Sequence, residues 1–253
     1  MDRRTGNIDS DKAVLVVSFG TSVPEAERSC IRPVEDAIRR AFPDWETRRA
    51  FTSRIIVRRM RARGEAVDSE TEALERLRAD GFERIVVAPT HIIPGEEYGR
   101  VCAAAAGRAV SGPLLADDGD LEWMAGVLAG IAREENRPLL MMGHGTEHAA
   151  DGIYARLRER LPDNVLLACV EGAHSLETVL PLLDRLPGRR LTLAPLMLVA
   201  GDHARNDMAG DGEDSWKSVL TARGFDVRVR LQGLGALECV QRWFVEKVRR
   251  AME

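Results

Sequence analysis

Two histidines and one glutamate each follow a short apolar run, and side chains of these types could hold a divalent metal ion. His144 lies in Met142-Gly143-His144-Gly145-Thr146, directly behind the apolar Leu139 to Met142. Flanking glycines let the backbone turn sharply and leave the imidazole exposed. His203 lies in Leu198-Val199-Ala200-Gly201-Asp202-His203, again behind an apolar run and a glycine, with Asp202 and Asp207 close enough in sequence to orient its ring. Glu171 follows Val165 to Val170. Each has a bland alternative: a turn histidine bonded to a neighbour, a polar surface loop, a carboxylate capping the next helix. Together they place His, Glu and His behind three successive runs. That set makes an open, borderline-to-hard site for a first-row divalent ion, with coordination positions left over. An unperturbed imidazole, with a pKa of about 6.5, is neutral at pH 7 and free to ligate. The cysteines Cys30, Cys102, Cys169 and Cys239 are far apart and form no CxxC pair. They read as reduced, buried thiols, which excludes a closed thiolate zinc site and a disulfide framework.

A second group lies in Thr90-His91-Ile92-Ile93-Pro94-Gly95-Glu96-Glu97-Tyr98. His91 and Glu97 are candidates for proton transfer, or for contact with a cationic or N–H face of a substrate; Glu96 reads as a solvated loop charge. A third group is basic: Arg48, Arg49, Arg54, Arg58, Arg59, Arg61 and Arg63. Arg54, Arg58 and Arg61 share a face at helical spacing. Guanidinium binds carboxylate bidentately, so this face suits a small polycarboxylate ligand; the alternative is an ordinary solvated helix face. His148 and His174 lie near the metal candidates without an assigned role.

These side chains need a scaffold that collects strand ends. The runs Ala13 to Gly20, Arg84 to Pro89, Pro138 to Gly143, Asn164 to Val170 and Arg190 to Leu198 are nearly continuous in apolar residues, as expected for parallel strands buried on both faces. Helical patterns separate them, around Pro24 to Phe42, Ser69 to Asp80, Val101 to Val110, Ile153 to Leu161, Leu176 to Leu186 and Leu237 to Ala251. The expected fold class is α/β, with two similar domains, each a parallel sheet flanked by helices, and an active-site cleft between them. Both halves carry a strand ending in glycine before a polar turn, and a later strand with Ala-Pro before a histidine loop. The expected division is 1–125 and 126–253, with Asp117 to Arg137 as the boundary and the metal candidates in the second domain. Ligands of open α/β sheets bind beyond the carboxyl ends of the strands, which is where the candidates fall. With a formal net charge of -4 and 5% aromatics, nucleic acid is not an expected partner. No run approaches the roughly 20 apolar residues of a membrane span, and the N-terminus lacks the pattern of a signal peptide, so the expected location is cytoplasmic.

The segments Leu15-Val16-Val17-Ser18-Phe19-Gly20-Thr21-Ser22, Arg49-Ala50-Phe51-Thr52-Ser53, His91-Ile92-Ile93, Gly95-Glu96-Glu97-Tyr98, Met142-Gly143-His144-Gly145, Val170-Glu171, Pro195 to His203, Asn206-Asp207-Met208-Ala209 and Asp214-Ser215-Trp216-Lys217 share their order with one family. In these the chain resembles the anaerobic-type sirohydrochlorin cobaltochelatases, the CbiK family of class II tetrapyrrole chelatases. One departure is Gly172-Ala173-His174 after Glu171. The resemblance implies a lyase that inserts Co²⁺ into sirohydrochlorin, or its precursor precorrin-2, during anaerobic cobalamin biosynthesis. It implies His144, Glu171 and His203 as metal residues, His144 as proton acceptor, and Glu97 as a carboxylate facing the macrocycle. His91, Arg54 and Arg58 are then the further substrate-binding candidates. Cobalt enters as substrate metal and no organic cofactor is expected. The competing expectations are a chelatase for Ni²⁺ or Fe²⁺ and a non-catalytic tetrapyrrole or metal carrier; a homo-oligomer is left open.

Overall fold

The computed structural model describes residues 11–253. Among them, two four-stranded sheets form, with every pair of neighbours parallel. The first sheet contains β1 (Lys12–Ser18), β2 (Glu46–Phe51), β3 (Arg84–Pro89) and β4 (Ala109–Val110), in the order β2-β1-β3-β4. The second contains β5 (Leu139–Gly143), β6 (Val165–Cys169), β7 (Arg190–Pro195) and β8 (Asp226–Val229), in the order β6-β5-β7-β8. The two orders are the same, as the internal likeness of the sequence implies. The register repeats too: Val17 of β1 pairs with Pro89, and Met142 of β5 pairs with Pro195. The α/β class with two helix-flanked parallel sheets is thus what the chain adopts.

Alternation along the strands explains the layers. Val14, Val16, Val86 and Ala88 face a central core that also takes Leu139, Met141, Val165 and Leu167 of the second sheet. The intervening Ala13, Leu15, Val17, Ile85 and Val87 face outward, onto Leu74 and Leu77 of helix Glu70–Ala79 and Val101 of helix Glu96–Ala105. Leu140 and Met142 face the outer layer of the second sheet, with Leu176, Val179 and Leu183 of helix Leu176–Leu183. Both faces of each sheet are therefore covered. Full burial of each Val- or Leu-sized side chain contributes about 1.5–3 kcal/mol.

The central core differs from expectation in two respects. Residues 117–137, read as a boundary, contain an 18-residue helix, Asp118–Glu135. Its start is a capping box between Asp117 and Asp120, and its buried face is Leu121, Met124, Leu128 and Ile131. This helix packs on β6 and on helix Gly152–Arg158 of the second sheet's side. The closing helix, Glu238–Met252, packs instead on β3, β4 and helix Arg32–Ala41, so it returns to the first sheet. We therefore propose to group residues 238–253 with the first domain and to begin the second at Asp118, in place of the division at 125.

The two central helices meet through a stacked pair, Trp123 on Trp243, with ring centroids 4.5 Å apart and planes 5° from parallel. Beside it Lys247 Nζ lies 2.7 Å from Asp120 Oδ2, with the side chains only 6% and 1% exposed. Trp243 Nε1 donates to Asp120 Oδ1 at 3.0 Å and the Ala116 amide to Oδ2 at 2.7 Å, so the buried carboxylate is fully engaged. Among the described residues, no helix is long and apolar enough to cross a membrane.

Candidate active site

β5 lies between β6 and β7, so the segments leaving their carboxyl ends are neighbours. Glu171 follows β6, His144 follows β5 and His203 opens the short helical turn Ala204–Met208 that follows the segment after β7. The structure brings His144 close to each of the other two. His144 Nδ1 is 3.9 Å from Glu171 Oε2, and the rings of His144 and His203 stand edge to face with centroids 4.9 Å apart. All three are accessible, with side chains 48%, 55% and 36% exposed respectively.

Hydrogen bonds set the tautomers. His144 Nδ1 lies 3.0 Å from the Gly145 carbonyl, which can only accept, so the proton sits on Nδ1. His203 Nδ1 lies 2.5 Å from Asp207 Oδ2 and donates to it. Each ring keeps its Nε2 lone pair for a ligand. The orientation by Asp207 is the one expected from the sequence; Asp202 instead accepts from Asn206 Nδ2 at 2.9 Å. Among the described residues, no three His, Cys, Asp or Glu side chains converge closely enough to enclose an ion. The arrangement is open to solvent, with all three side chains accessible. The nearest thiol, Cys169, is pushed up to about 12 by burial and then by Asp151, so it stays protonated and offers no thiolate.

The turn at His144 depends on glycine. Gly145 has φ +77°, and a Cβ there would fall 1.9 Å from the Glu171 carbonyl oxygen. This close approach lets Glu171 N donate to the His144 carbonyl at 2.9 Å and Val170 N to that of Gly143 at 3.0 Å, tying the two segments together. The loop carrying His203 is held from the other side. Leu198 and Val199 pack against a first-domain cluster of Ile31, Phe51, Val57 and Met60, and Arg205 Nη2 reaches Glu25 Oε2 at 3.3 Å. The His203 loop is therefore a bridge between the domains.

The other candidates are dispersed. Both ring nitrogens of His91 are shielded from solvent and without a hydrogen-bond partner. Burial, and secondarily the charge of Arg100, lowers its pKa to about 4, so the ring is neutral and a weak base near pH 7. In this environment the ring is a poor proton acceptor. Glu97 Oε1 accepts from Arg100, while Oε2 is buried without a partner. Glu96 is exposed, as expected for a solvated charge.

The basic group divides. Arg49 is structural: it donates to both oxygens of the buried Glu35 at 2.7 and 2.6 Å and pairs with Glu27 at 2.6 Å. Arg48 pairs with Asp80 at 2.6 Å, Arg61 with Glu72 at 2.5 Å, and Arg63 donates to the Ser22 carbonyl. Arg61 thus does not join Arg54 and Arg58 in a free cationic face. Arg54 and Arg58, on helix Arg54–Ala62, are exposed. Beside Arg54, Ile55 is 56% exposed, and Phe19, on the segment leaving β1, is 49% exposed.

Sequence reasoning assigns no role to His148 or His174 and does not single out Asp151. His148 Nδ1 accepts from the Ala150 amide and caps the short turn Ala149–Asp151. His174 and Asp151 lie under the Glu171 segment, with His174 Nε2 4.0 Å from Asp151 Oδ2. No spacing rule marks Asp151, because its partners are backbone amides.

Comparison with known proteins identifies the family. A family model described as cobalt chelatase (CbiK) matches residues 12–253. A sirohydrochlorin cobaltochelatase of Nitratidesulfovibrio vulgaris, CbiKC, is 34% identical over 242 residues, covering 90% of this chain and 86% of that protein. The sirohydrochlorin cobaltochelatase of Salmonella typhimurium is 35% identical over 254 residues, covering 95% and 96%. Among solved structures, a transcription regulator-like protein of Staphylococcus haemolyticus aligns over 94% of this chain and 91% of its own, with a TM-score of 0.43 and 8% identity. That likeness is too distant to bear on function. With the family match running from Lys12 to Glu253, the chain belongs to the cobalt chelatase (CbiK) family.

Proposed function

We propose that this chain is a sirohydrochlorin cobaltochelatase, with His144, Glu171 and His203 holding the incoming Co²⁺. The observation that carries the reading is the closeness of His144 to both Glu171 and His203 at adjacent strand ends, with the Nδ1 of each ring engaged and its Nε2 left without a hydrogen-bond partner. The names of the relatives point to the same substrate pair.

Metallation breaks two pyrrole N–H bonds, forms bonds from Co²⁺ to four ring nitrogens, and releases two protons; no electron is transferred. Two neutral imidazoles and one carboxylate replace part of the ion's water shell and leave it less tightly held than a closed site would. The ion is thereby positioned against the ring and still able to leave. His144 accepts one pyrrole proton once its Nε2 releases the metal. Glu97, freed from Arg100, takes or relays the other. Arg54 and Arg58 bind peripheral carboxylates of the macrocycle, and His91 serves as a neutral hydrogen-bonding partner when its loop opens. No step calls for an organic cofactor.

The test is anaerobic absorption spectroscopy with sirohydrochlorin and substoichiometric enzyme, supplied with Co²⁺ and, in parallel, Ni²⁺ or Fe²⁺. Many turnovers with Co²⁺ are expected, and His144→Ala and His203→Ala should each abolish most insertion while remaining folded. A spectral change that saturates at one equivalent would instead identify a carrier. Wild-type rates in both folded variants would remove the proposed metal site.

A further inference from the structure

The segments carrying His144 and Glu171 emerge from adjacent strands, and beyond their first backbone bonds they would be free to part. One side chain spans them. Asp151, 15% exposed, accepts from the Thr146 amide through Oδ1 at 3.2 Å and from the Ala173 amide through Oδ2 at 3.4 Å. Thr146 is two residues beyond His144, and Ala173 two beyond Glu171. The fit around this carboxylate is close: Gly172 has φ +81°, and a Cβ there would lie 2.8 Å from Asp151 Oδ1 and 2.9 Å from the Thr146 carbonyl oxygen.

Asp151 is itself supported. Arg158 Nη1 lies 2.8 Å from His174 Nδ1. Arginine can only donate, so His174 Nδ1 accepts and the imidazole proton lies on Nε2. That nitrogen faces Asp151 Oδ2 at 4.0 Å. The His174 carbonyl in turn accepts from the Cys169 amide at 2.6 Å, fixing the far end of the segment to the last residue of β6. Arg158 thus holds the His174 ring beside Asp151, within charge contact though beyond hydrogen-bond distance of its carboxylate.

We infer that Asp151 is a positioning residue for metal capture, holding His144 and Glu171 at their mutual distance through the Thr146 and Ala173 amides, with His174 and Arg158 keeping its carboxylate in place. This rests on the metal role proposed for His144 and Glu171. Groups behind metal ligands commonly change metal affinity by about 10–100-fold when altered. An asparagine at this position offers one oxygen and turns its NH₂ toward one of the two amide donors, so one bond is lost and one contact becomes repulsive.

The experiment uses Co²⁺ alone as probe, with binding read from its visible ligand-field absorption, alongside steady-state insertion into sirohydrochlorin. In Asp151→Asn the affinity for Co²⁺ should fall by about 10–100-fold and KM for Co²⁺ rise by a similar factor. KM for sirohydrochlorin should stay within about twofold, which a general loosening of the fold would not allow. Wild-type Co²⁺ affinity, or an equal rise in both KM values, would overturn the inference. Should Asp151→Asn not fold, His174→Leu removes only the support from behind and should weaken Co²⁺ binding by roughly threefold, below the full effect; unchanged binding there would also overturn it. His144→Ala separates the two levels. If it binds Co²⁺ like wild type, the metal site itself is wrong and the role of Asp151 falls with it. If it loses Co²⁺ while Asp151→Asn does not, only the present inference fails.

Discussion

Replacing His91 by glutamine should flatten the acid dependence of stability. In the folded protein burial, aided by the nearby Arg100 cation, lowers the His91 pKa to about 4 from an ordinary 6.5. Above 6.5 the ring is neutral in both the folded and unfolded chain, so it contributes no pH dependence. As the pH falls below 6.5 the unfolded chain gains a proton that the folded chain refuses, and stability is lost until the pH reaches about 4, where the folded ring protonates too. The full gap corresponds to about 3 kcal/mol, and near pH 5 about 2 kcal/mol of it should already be lost. Glutamine is similar in length, remains polar and does not titrate. The assay is urea unfolding of both proteins near pH 7.5 and near pH 5. Wild type should lose about 2 kcal/mol more than His91→Gln between these conditions. Equal losses would mean that the ring is solvated, or protonated in the folded state, and would refute the argument from its two unpartnered nitrogens.

Two further outcomes follow from the geometry. Asp120→Ala strands Lys247 in the central core and should lower unfolding stability by about 3–5 kcal/mol in urea titrations, whereas Lys247→Met should cost less, because Asp120 keeps the Trp243 and Ala116 donors. Gly145→Ala forces a left-handed alanine and moves the Glu171 carbonyl away, so kcat/KM for cobalt insertion should drop by about 100-fold or more while far-ultraviolet circular dichroism is preserved; a near-normal rate would show that the spacing of His144 and Glu171 is not critical.

What the sequence discloses here is local. Leu139-Leu140-Met141-Met142 ahead of Gly143-His144 announces a buried strand and a turn, and His144, Glu171 and His203 are legible because each immediately follows such a run. The duplication is legible for the same reason: both halves repeat glycine and Ala-Pro landmarks at corresponding strand ends. Partnership across the chain is not. Val240, Phe244 and Val248 mark an apolar helix face, but nothing in that spacing says which sheet it covers. Arg49 and Arg54 look alike in sequence; only folding shows that Glu27 and Glu35 engage the first. Helix Asp118–Glu135 falls in the segment expected as the boundary, although Leu121, Met124, Leu128 and Ile131 carry the helical period. Asp151 was hidden because it recognises peptide groups, which leave no mark on side-chain patterns.

The return of helix Glu238–Met252 to the first sheet has a consequence for the order of assembly. During synthesis β1, β2 and β3 leave the ribosome well before residues 240–248, yet Val14, Val16, Val34 and Ile38 complete their core with Val240, Phe244 and Val248. Contacts of such sequence separation carry a large loop-closure cost and slow folding. The first sheet must therefore wait, one apolar face incomplete, while the second half of the chain is made. Helix Asp118–Glu135 and the second sheet emerge in the interval and can cover part of that face through the shared central layer. Helix Glu238–Met252, made after both sheets, then seals the first of them, so a nascent chain halted before Val240 would lack the piece that closes that sheet's core.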